Sequence, residues 1–226
     1  MILITGSQGF IGSRLLPKLE DVIGIDVREG NNLLSCPLPK DIELIYHLAA
    51  QSDVVASWND PVHDMDNLRM TARLAKEYPD TKIVYANSCA SVDPQSPYGF
   101  SKKVSADYLK VFHKNTVNCM FPNNYGEGSP SVVDIFKGKK EVTIFGDGKQ
   151  TRDYVHISDI IEGLFLARDW EPGDYFMGSG KSTTVLELAE GKSAIFDLPR
   201  NEPYEVKVKN TTPNWSAEVK VLEYIK

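Results

Sequence analysis

Cysteine is scarce in this chain of 226 residues. The three present, Cys36, Cys89 and Cys119, are scattered and never spaced CxxC. That spacing excludes a disulfide framework or a zinc site and fits a reducing compartment. The four histidines, His47, His63, His113 and His156, show no metal-ligand spacing either. Positive charge is not in excess: the net charge is −6, against the basic face that a nucleic-acid or acidic-membrane binder needs. No apolar run approaches the roughly 20 residues that cross a bilayer, and "MILIT" at the start reads as a strand, not a signal segment. Repeats and low-complexity tracts are also missing. A cytoplasmic, soluble protein is the resulting expectation, with no nucleic acid and no membrane among its partners. A small anion held by a few placed cations stays open. The length suits one large domain or two lobes with a full core.

What the chain does have is short apolar runs: "MILIT", "VIGID", "ELIYHLAA", "KIVYAN" and "VNCMF". They are apolar throughout and do not alternate, as strands buried on both faces of a parallel sheet require. Between them lie helix-like stretches, with Val62, Met65, Leu68, Ala72 and Ala75 at helical spacing in one and Val104, Tyr108 and Val111 in another. Strand then helix, repeated, predicts an α/β fold built on a doubly wound parallel sheet, Rossmann-like. From about residue 126 Gly, Pro and Asp become frequent and the alternation is lost. "HISDIIEGLFLARD" reads as a further helix of the first lobe with Ser158 as N-cap. Thr184 and Glu187 have capping-box spacing, with Gly191 as the stop. "EPYEVKVKNTTPNW" alternates like an exposed strand. These features predict a first lobe over 1–125, with 151–169 returning to it, and a smaller interleaved lobe over 126–150 and 170–226.

"MILITGSQGFIG" is strand, glycine turn and helix start, with Gly6, Gly9 and Gly12 three apart. Glycines in that place let the backbone turn tightly and approach a pyrophosphate, which sits on free N–H groups at the helix start. Asp26 closes the second strand about 20 residues on, where a carboxylate accepts from ribose hydroxyls and repels a 2′-phosphate. NAD is therefore the expected cofactor, with Arg28 leaving NADP as a minor option. Lys181 in "GSGKST" lacks the spacing of a Walker loop.

"TGSQGFIG", Asp26, "HLAA", Asn67 in "DNLRMT", "YGFSK", "FPNNYGEG", "FGDGKQTRDYVHISD" and "GSGKSTTVLELAE" follow one another from residue 1 to about 190. In this order they make the chain resemble the extended short-chain dehydrogenase/reductase family. The likeness is to its NAD-dependent nucleotide-sugar epimerases and dehydratases of the UDP-glucose 4-epimerase type, in a shortened form. The resemblance implies cofactor binding by Gly6, Gly9, Phe10, Ile11, Gly12, Asp26, Leu48, Ala49, Ala50, Asn67, Tyr98 and Lys102. It implies catalysis by Tyr98 and Lys102. A free Tyr ionises near pH 10, and a nearby ammonium and a cationic nicotinamide would favour the phenolate that takes a sugar hydroxyl proton. The family's Ser or Thr, three residues before Val92, falls by count on Cys89, with Ser88 adjacent. A thiol is the weaker donor, so Cys89 by position or Ser88 by a register slip fills that role.

Asn123 matches the family's substrate-phosphate Asn and Arg152 its diphosphate Arg; Arg200 resembles a second phosphate Arg. Their partner would be a nucleotide sugar. Three departures accompany the likeness. Only eight residues lie between Cys89 and Tyr98, the stretch from Asp26 to "ELIYHLAA" is too short for a full crossover helix, and Met120 stands where the family often has Arg. Ala90 and Ser91 occupy the places of the dehydratases' acidic pair, against 4,6-dehydration. The resemblance thus implies a UDP-sugar 4-epimerase that retains NAD. A nucleotide-4-keto-sugar reductase and a catalytically weak NAD or sugar-nucleotide binding module are the alternatives. By the same likeness the helices at about 60–78 and 98–114 would pair in a homodimer.

Overall fold

The computed structural model describes residues 1–197 and 212–225. In chain order its elements are β1 (Ile2–Thr5), α1 (Gly12–Leu15), β2 (Val22–Ile25), β3 (Leu44–His47), α2 (Val54–Asn59), α3 (Met65–Glu77), β4 (Lys82–Ser88), α4 (Pro97–Phe112) and β5 (Thr116–Phe121). There follow β6 (Asn123–Tyr125), α5 (Val132–Phe136), β7 (Glu141–Phe145), β8 (Thr151–His156), α6 (Ile157–Ala167), β9 (Gly173–Phe176), β10 (Ser182–Thr184), α7 (Val185–Leu188), β11 (Ser193–Asp197) and α8 (Val221–Tyr224). The chain divides into unit 1, Met1–Met120 with Ile161–Tyr175, and unit 2, Phe121–Ile160 with Phe176–Lys226.

Each of the five apolar runs forms a strand, and all join one sheet of order β2-β1-β3-β4-β5-β9. β1 runs parallel to both β2 and β3, with Ile2 opposite Val22 and Leu44, and β3 runs parallel to β4. β3 and β5 are buried at every residue, as a covered parallel sheet demands. Leu3, Ile25, Ile45, Leu74, Ile83 and Leu109 anchor the unit 1 core. Compared with the usual dinucleotide-binding order 3-2-1-4-5-6, no strand among the described residues lies outside β2, which forms the edge. The short crossover to β3 holds one 3-10 turn, Val27–Glu29. Side chains replace the helix there: Arg73 donates to the carbonyls of Leu33 and Cys36, Tyr78 Oη to Pro39 O at 2.7 Å and Thr81 Oγ1 to Ile42 O at 3.0 Å.

Unit 2 carries the sheet β10-β8-β6 and the parallel pair β11-β7. Tyr125, Val133, Phe136, Ile144 and Leu188 form its core. Thr184 and Glu187 make the expected capping box at α7. Ser158 does not cap α6: it lies inside the helix, and its N–H donates to His156 Nδ1 at 3.3 Å, so the imidazole takes the cap's part. The reading of "EPYEVKVKNTTPNW" as a strand falls largely outside the described residues, as does Arg200.

The helix faces differ from the apolar periodicity. α3 buries Asn67, Thr71, Leu74 and Ala75, whereas Val62 precedes the helix and is exposed, and Met65 is exposed too. α4 buries Gly99, Ser101, Lys102, Ser105 and Leu109 and leaves Val111 and Phe112 in solvent. The inward faces are small or polar because they carry the hydrogen bonds described below. No described helix is long and apolar enough to cross a membrane.

Candidate active site

The glycine loop joins β1 to α1 and packs on the turn after β3. Gly6 has φ +72, and a Cβ there would lie 2.7 Å from Ala49 N and 2.9 Å from the Leu48 carbonyl carbon. A side chain is excluded on both counts. One at Gly12 would lie 2.1 Å from Gly6 O. Both glycines thus answer first to the packing of the loop itself. That packing sets the loop against Leu48–Ala50, at the ends of strands where the sheet order reverses. The N–H groups of Phe10 and Ile11 have no protein acceptor among the described residues. Asp26, 7% exposed, accepts from Gln8 N–H at 2.9 Å and Arg28 N–H at 2.8 Å. A carboxylate has about four acceptor positions, so capacity for ribose hydroxyls remains. The Arg28 side chain turns back to Gln8 O at 2.5 Å.

Behind the loop runs a directional hydrogen-bond chain. Thr71 Oγ1 donates to Asn67 O at 2.7 Å, so it accepts from His47 Nε2–H at 3.0 Å. His47 Nδ1 is then the acceptor for Thr5 Oγ1 at 2.8 Å, and Thr5 Oγ1 in turn accepts from Ala49 N–H at 3.2 Å. The imidazole is neutral: burial, with Lys102 adding to it, lowers its pKa to about 3. Asn67 accepts from Gln51 N–H at 2.8 Å and donates to Gln51 O at 3.1 Å and Ser101 Oγ at 3.0 Å. Both amide hydrogens are used, so Asn67 brackets the Leu48–Gln51 turn to α4.

α4 starts with Ser96 accepting from Gly99 N–H at 3.1 Å and Pro97 in its first turn. A Cβ at Gly99 would lie 2.6 Å from Ala90 O, so glycine lets the helix start sit against the 3-10 turn Cys89–Ser91. That contact brings Tyr98 to the end of β4, where the Ser88 side chain is near enough to lower the phenol's pKa. Cys89 is buried in the first position of the turn, and its thiol is within electrostatic reach of the phenol. The count from Val92 pointed to Cys89. Ser88 is the last residue of β4 and Cys89 opens the turn, so both candidates lie at the end of the strand that Tyr98 approaches.

Burial pushes Tyr98 up to about 12, the Ser88 side chain pulls it down and the Asp64 carboxylate adds to the rise. Lys102 is 3% exposed; its Nζ donates to Ala86 O at 2.6 Å and sits 4.2 Å above the Tyr85 ring. Burial brings its pKa down to about 7. The protein by itself therefore keeps the phenol neutral at pH 7, and the full ammonium expected beside it is half eroded.

In unit 2, Asn123 is exposed on β6, opposite Tyr154 of β8. Arg152 is half-buried on β8, with Nη1 donating to Thr151 O at 2.7 Å. Next to it Asp153 holds Ser179 and Gly180. Gly99, Ser101 and Asp64 escaped the sequence reading. A glycine inside a helix's first turn was the available signal for the first; Asp64 gave none, because an Asp before a helix reads as a cap.

A model of the NAD dependent epimerase/dehydratase family matches residues 2–178. A Methanocaldococcus jannaschii protein named "Putative UDP-glucose 4-epimerase" is 32% identical over 293 aligned residues, covering 100% of this chain and 96% of its own. The alignment is longer than this chain, so the shortening is internal. The UDP-glucose 4-epimerase of Mycolicibacterium smegmatis is 29% identical, over 89% of this chain and 84% of its own. The crystal structure of Thermotoga maritima UDP-glucose 4-epimerase with UDP-glucose superposes with TM-score 0.84 at 24% identity, over 99% and 96% of the two chains, which shows a common fold.

Proposed function

The chain belongs to the NAD dependent epimerase/dehydratase family, and from that membership we propose that it interconverts 4-epimers of a nucleotide-linked sugar of the UDP type. The observation that carries this reading is Tyr98 in the first turn of α4, against the end of β4 that holds Ser88 and Cys89, with the buried Lys102 one helical turn on. The residues present fit NAD: free N–H groups at Phe10 and Ile11 for the diphosphate, Asp26 for the adenosine ribose and the Lys102 ammonium for the nicotinamide ribose. Bound NAD supplies the hydride acceptor at the sugar carbon and a positive charge that favours the phenolate. Tyr98 Oη takes the proton of the sugar 4-hydroxyl and later returns it, while Ser88 Oγ orients the reacting oxygen. Ala90 and Ser91 offer no acid for eliminating water, and Ser91 Oγ is engaged with Ser88 O at 2.7 Å. To unit 2 we assign the nucleotide half of the substrate, through Asn123 and Arg152.

Proton NMR of UDP-glucose and UDP-galactose, with purified protein and then with added NAD, tests the proposal. Conversion in either direction, abolished in Tyr98→Phe, supports it. Sugar turnover that consumes added NADH instead would establish a reductase, and binding of NAD without turnover a binding module.

The apolar residues that α2, α3 and α4 leave outside support the homodimer. Val55, Trp58, Met65, Phe100, Val111 and Phe112 are exposed, and exposed apolar surface of this kind marks an interface. Light scattering is expected to give twice the chain mass, and Phe112→Asp with Val111→Asp to return it to one.

A further inference from the structure

Lys102 is 3% exposed, and no carboxylate pairs with it among the described residues. A buried ammonium without a counter-charge is costly and tends to give up its proton. Its neighbours therefore decide whether a cation stands there at all. An ammonium has three N–H donors. One goes to Ala86 O at 2.6 Å. A second direction is closed by the ring of Tyr85, whose centroid lies 4.2 Å from Nζ. The third has no acceptor among the described residues.

The fold fixes that ring in place. Tyr85 lies within β4, is 1% exposed and belongs to the unit 1 core. It stands opposite His47 of β3 in the sheet, and the two rings pack with centroids 5.4 Å apart. His47 is the titratable group on β3 and Tyr98 the one a turn earlier on Lys102's own helix. The imidazole is neutral, so it adds no competing cation beside the ring. The face of an aromatic ring is negative and attracts a cation within about 6 Å of its centroid, most strongly where water is excluded. An aliphatic side chain in the same place would fill the space without that attraction.

We propose that Tyr85 is a positioning residue for Lys102, whose ring face takes the place of a counter-ion and keeps the buried ammonium charged, with its third N–H left for the cofactor. The last clause rests on Lys102 as the group that holds the nicotinamide ribose; the charge itself is read without cofactor. Burial brings Lys102 down to about 7, so at pH 7 small terms decide its state. A midpoint one unit lower would leave only about a tenth of the amine protonated at that pH. A neutral amine would no longer favour the Tyr98 phenolate.

Carbon NMR of protein labelled at lysine Cε, titrated with pH in the absence of cofactor, tests the proposal. The Lys102 signal is assigned by its loss in Lys102→Met. Tyr85→Phe keeps the ring face and is expected to leave the Lys102 midpoint unmoved. A ring-fluorinated phenylalanine placed at position 85 keeps the shape but drains the face, and is expected to lower the midpoint by about one unit. An unmoved midpoint in the fluorinated protein overturns the proposal, as does a shift to higher pH. Tyr85→Met, which fills the site with an aliphatic chain, gives the same reading if the fluorinated protein does not fold. Calorimetry at pH 7 should then show NAD affinity reduced several-fold in the fluorinated protein and retained in Tyr85→Phe. A midpoint that falls while NAD affinity holds upholds the ring as counter-group and counts against Lys102 as the ribose ligand, not against Tyr85.

Discussion

In unit 2, Asp153 is 3% exposed and accepts from Ser179 N–H at 3.2 Å, Ser179 Oγ at 2.5 Å and Gly180 N–H at 2.9 Å. Asp159 accepts from the N–H groups of Glu218 and Val219, each at 3.0 Å, while its carbonyl takes Trp215 Nε1 at 2.7 Å. In unit 1, Asp64 is buried as deeply and accepts from no described group. Lys102 is also buried there and Tyr98 half-buried, at a cost to their charged forms. Unit 2 uses buried carboxylates to fix irregular backbone, which is a stability role. Around Tyr98 burial instead raises the phenol and lowers the Lys102 ammonium.

That contrast breaks most visibly with Tyr98→Phe. It should lower kcat by about 10²–10⁴-fold with urea unfolding unchanged, since the proposed mechanism makes the phenol a reacting group and not a support. A large loss of stability there would erase the distinction. Asp153→Ala is the counterpart: about 3 kcal/mol of stability lost in urea unfolding, from donors at Ser179 and Gly180 left unpaired. Next comes the hydroxyl. Ser88→Ala is expected to reduce kcat by about 10-fold or more, on the scale of one lost hydrogen bond to a developing charge. Cys89→Ala should stay within about threefold; the reverse ranking would return the role to Cys89.

The smallest effect concerns Lys102, whose folded-state pKa is lowered from 10.5 to about 7. Between those values the unfolded chain binds more protons, so stability rises with pH. Above 9.0 the buried Cys119 thiol, pushed up by burial, acts in the opposite sense. The N-terminal amine, raised from 8.0 by its Asp21 hydrogen bond, opposes it as well, so the clean window is pH 7 to 8.0, with a slope on the order of 1 kcal/mol per pH unit. Lys102→Met should flatten it in urea titrations run across that window.

The strands were legible because a parallel sheet buried on both faces needs unbroken apolar runs, and β3 and β5 are such runs. The glycine loop was legible too, since Gly6 and Gly12 satisfy local constraints that no other residue meets. Asp26, Tyr98 and Lys102 stood at recognisable spacings from them. The faces of α3 and α4 were not: apolar periodicity reports where a helix is apolar, not whether a core or another chain covers that face. Hence Val111 and Phe112 came out exposed while Ser101, Lys102 and Ser105 went inside.

Sequence by itself determined the layers, the glycine loop and the placing of Tyr98 and Lys102 one helical turn apart, because period and spacing act within a few residues. Tertiary structure alone decided that Tyr98 stands at the end of β4, that Asn67 bonds Gln51 and Ser101, and that Asp64 is buried without a donor. Each of those depends on where β4 ends and how closely Gly99 lets α4 approach the Cys89–Ser91 turn. Such distances are set jointly by segments far apart in the chain, and no local pattern encodes them.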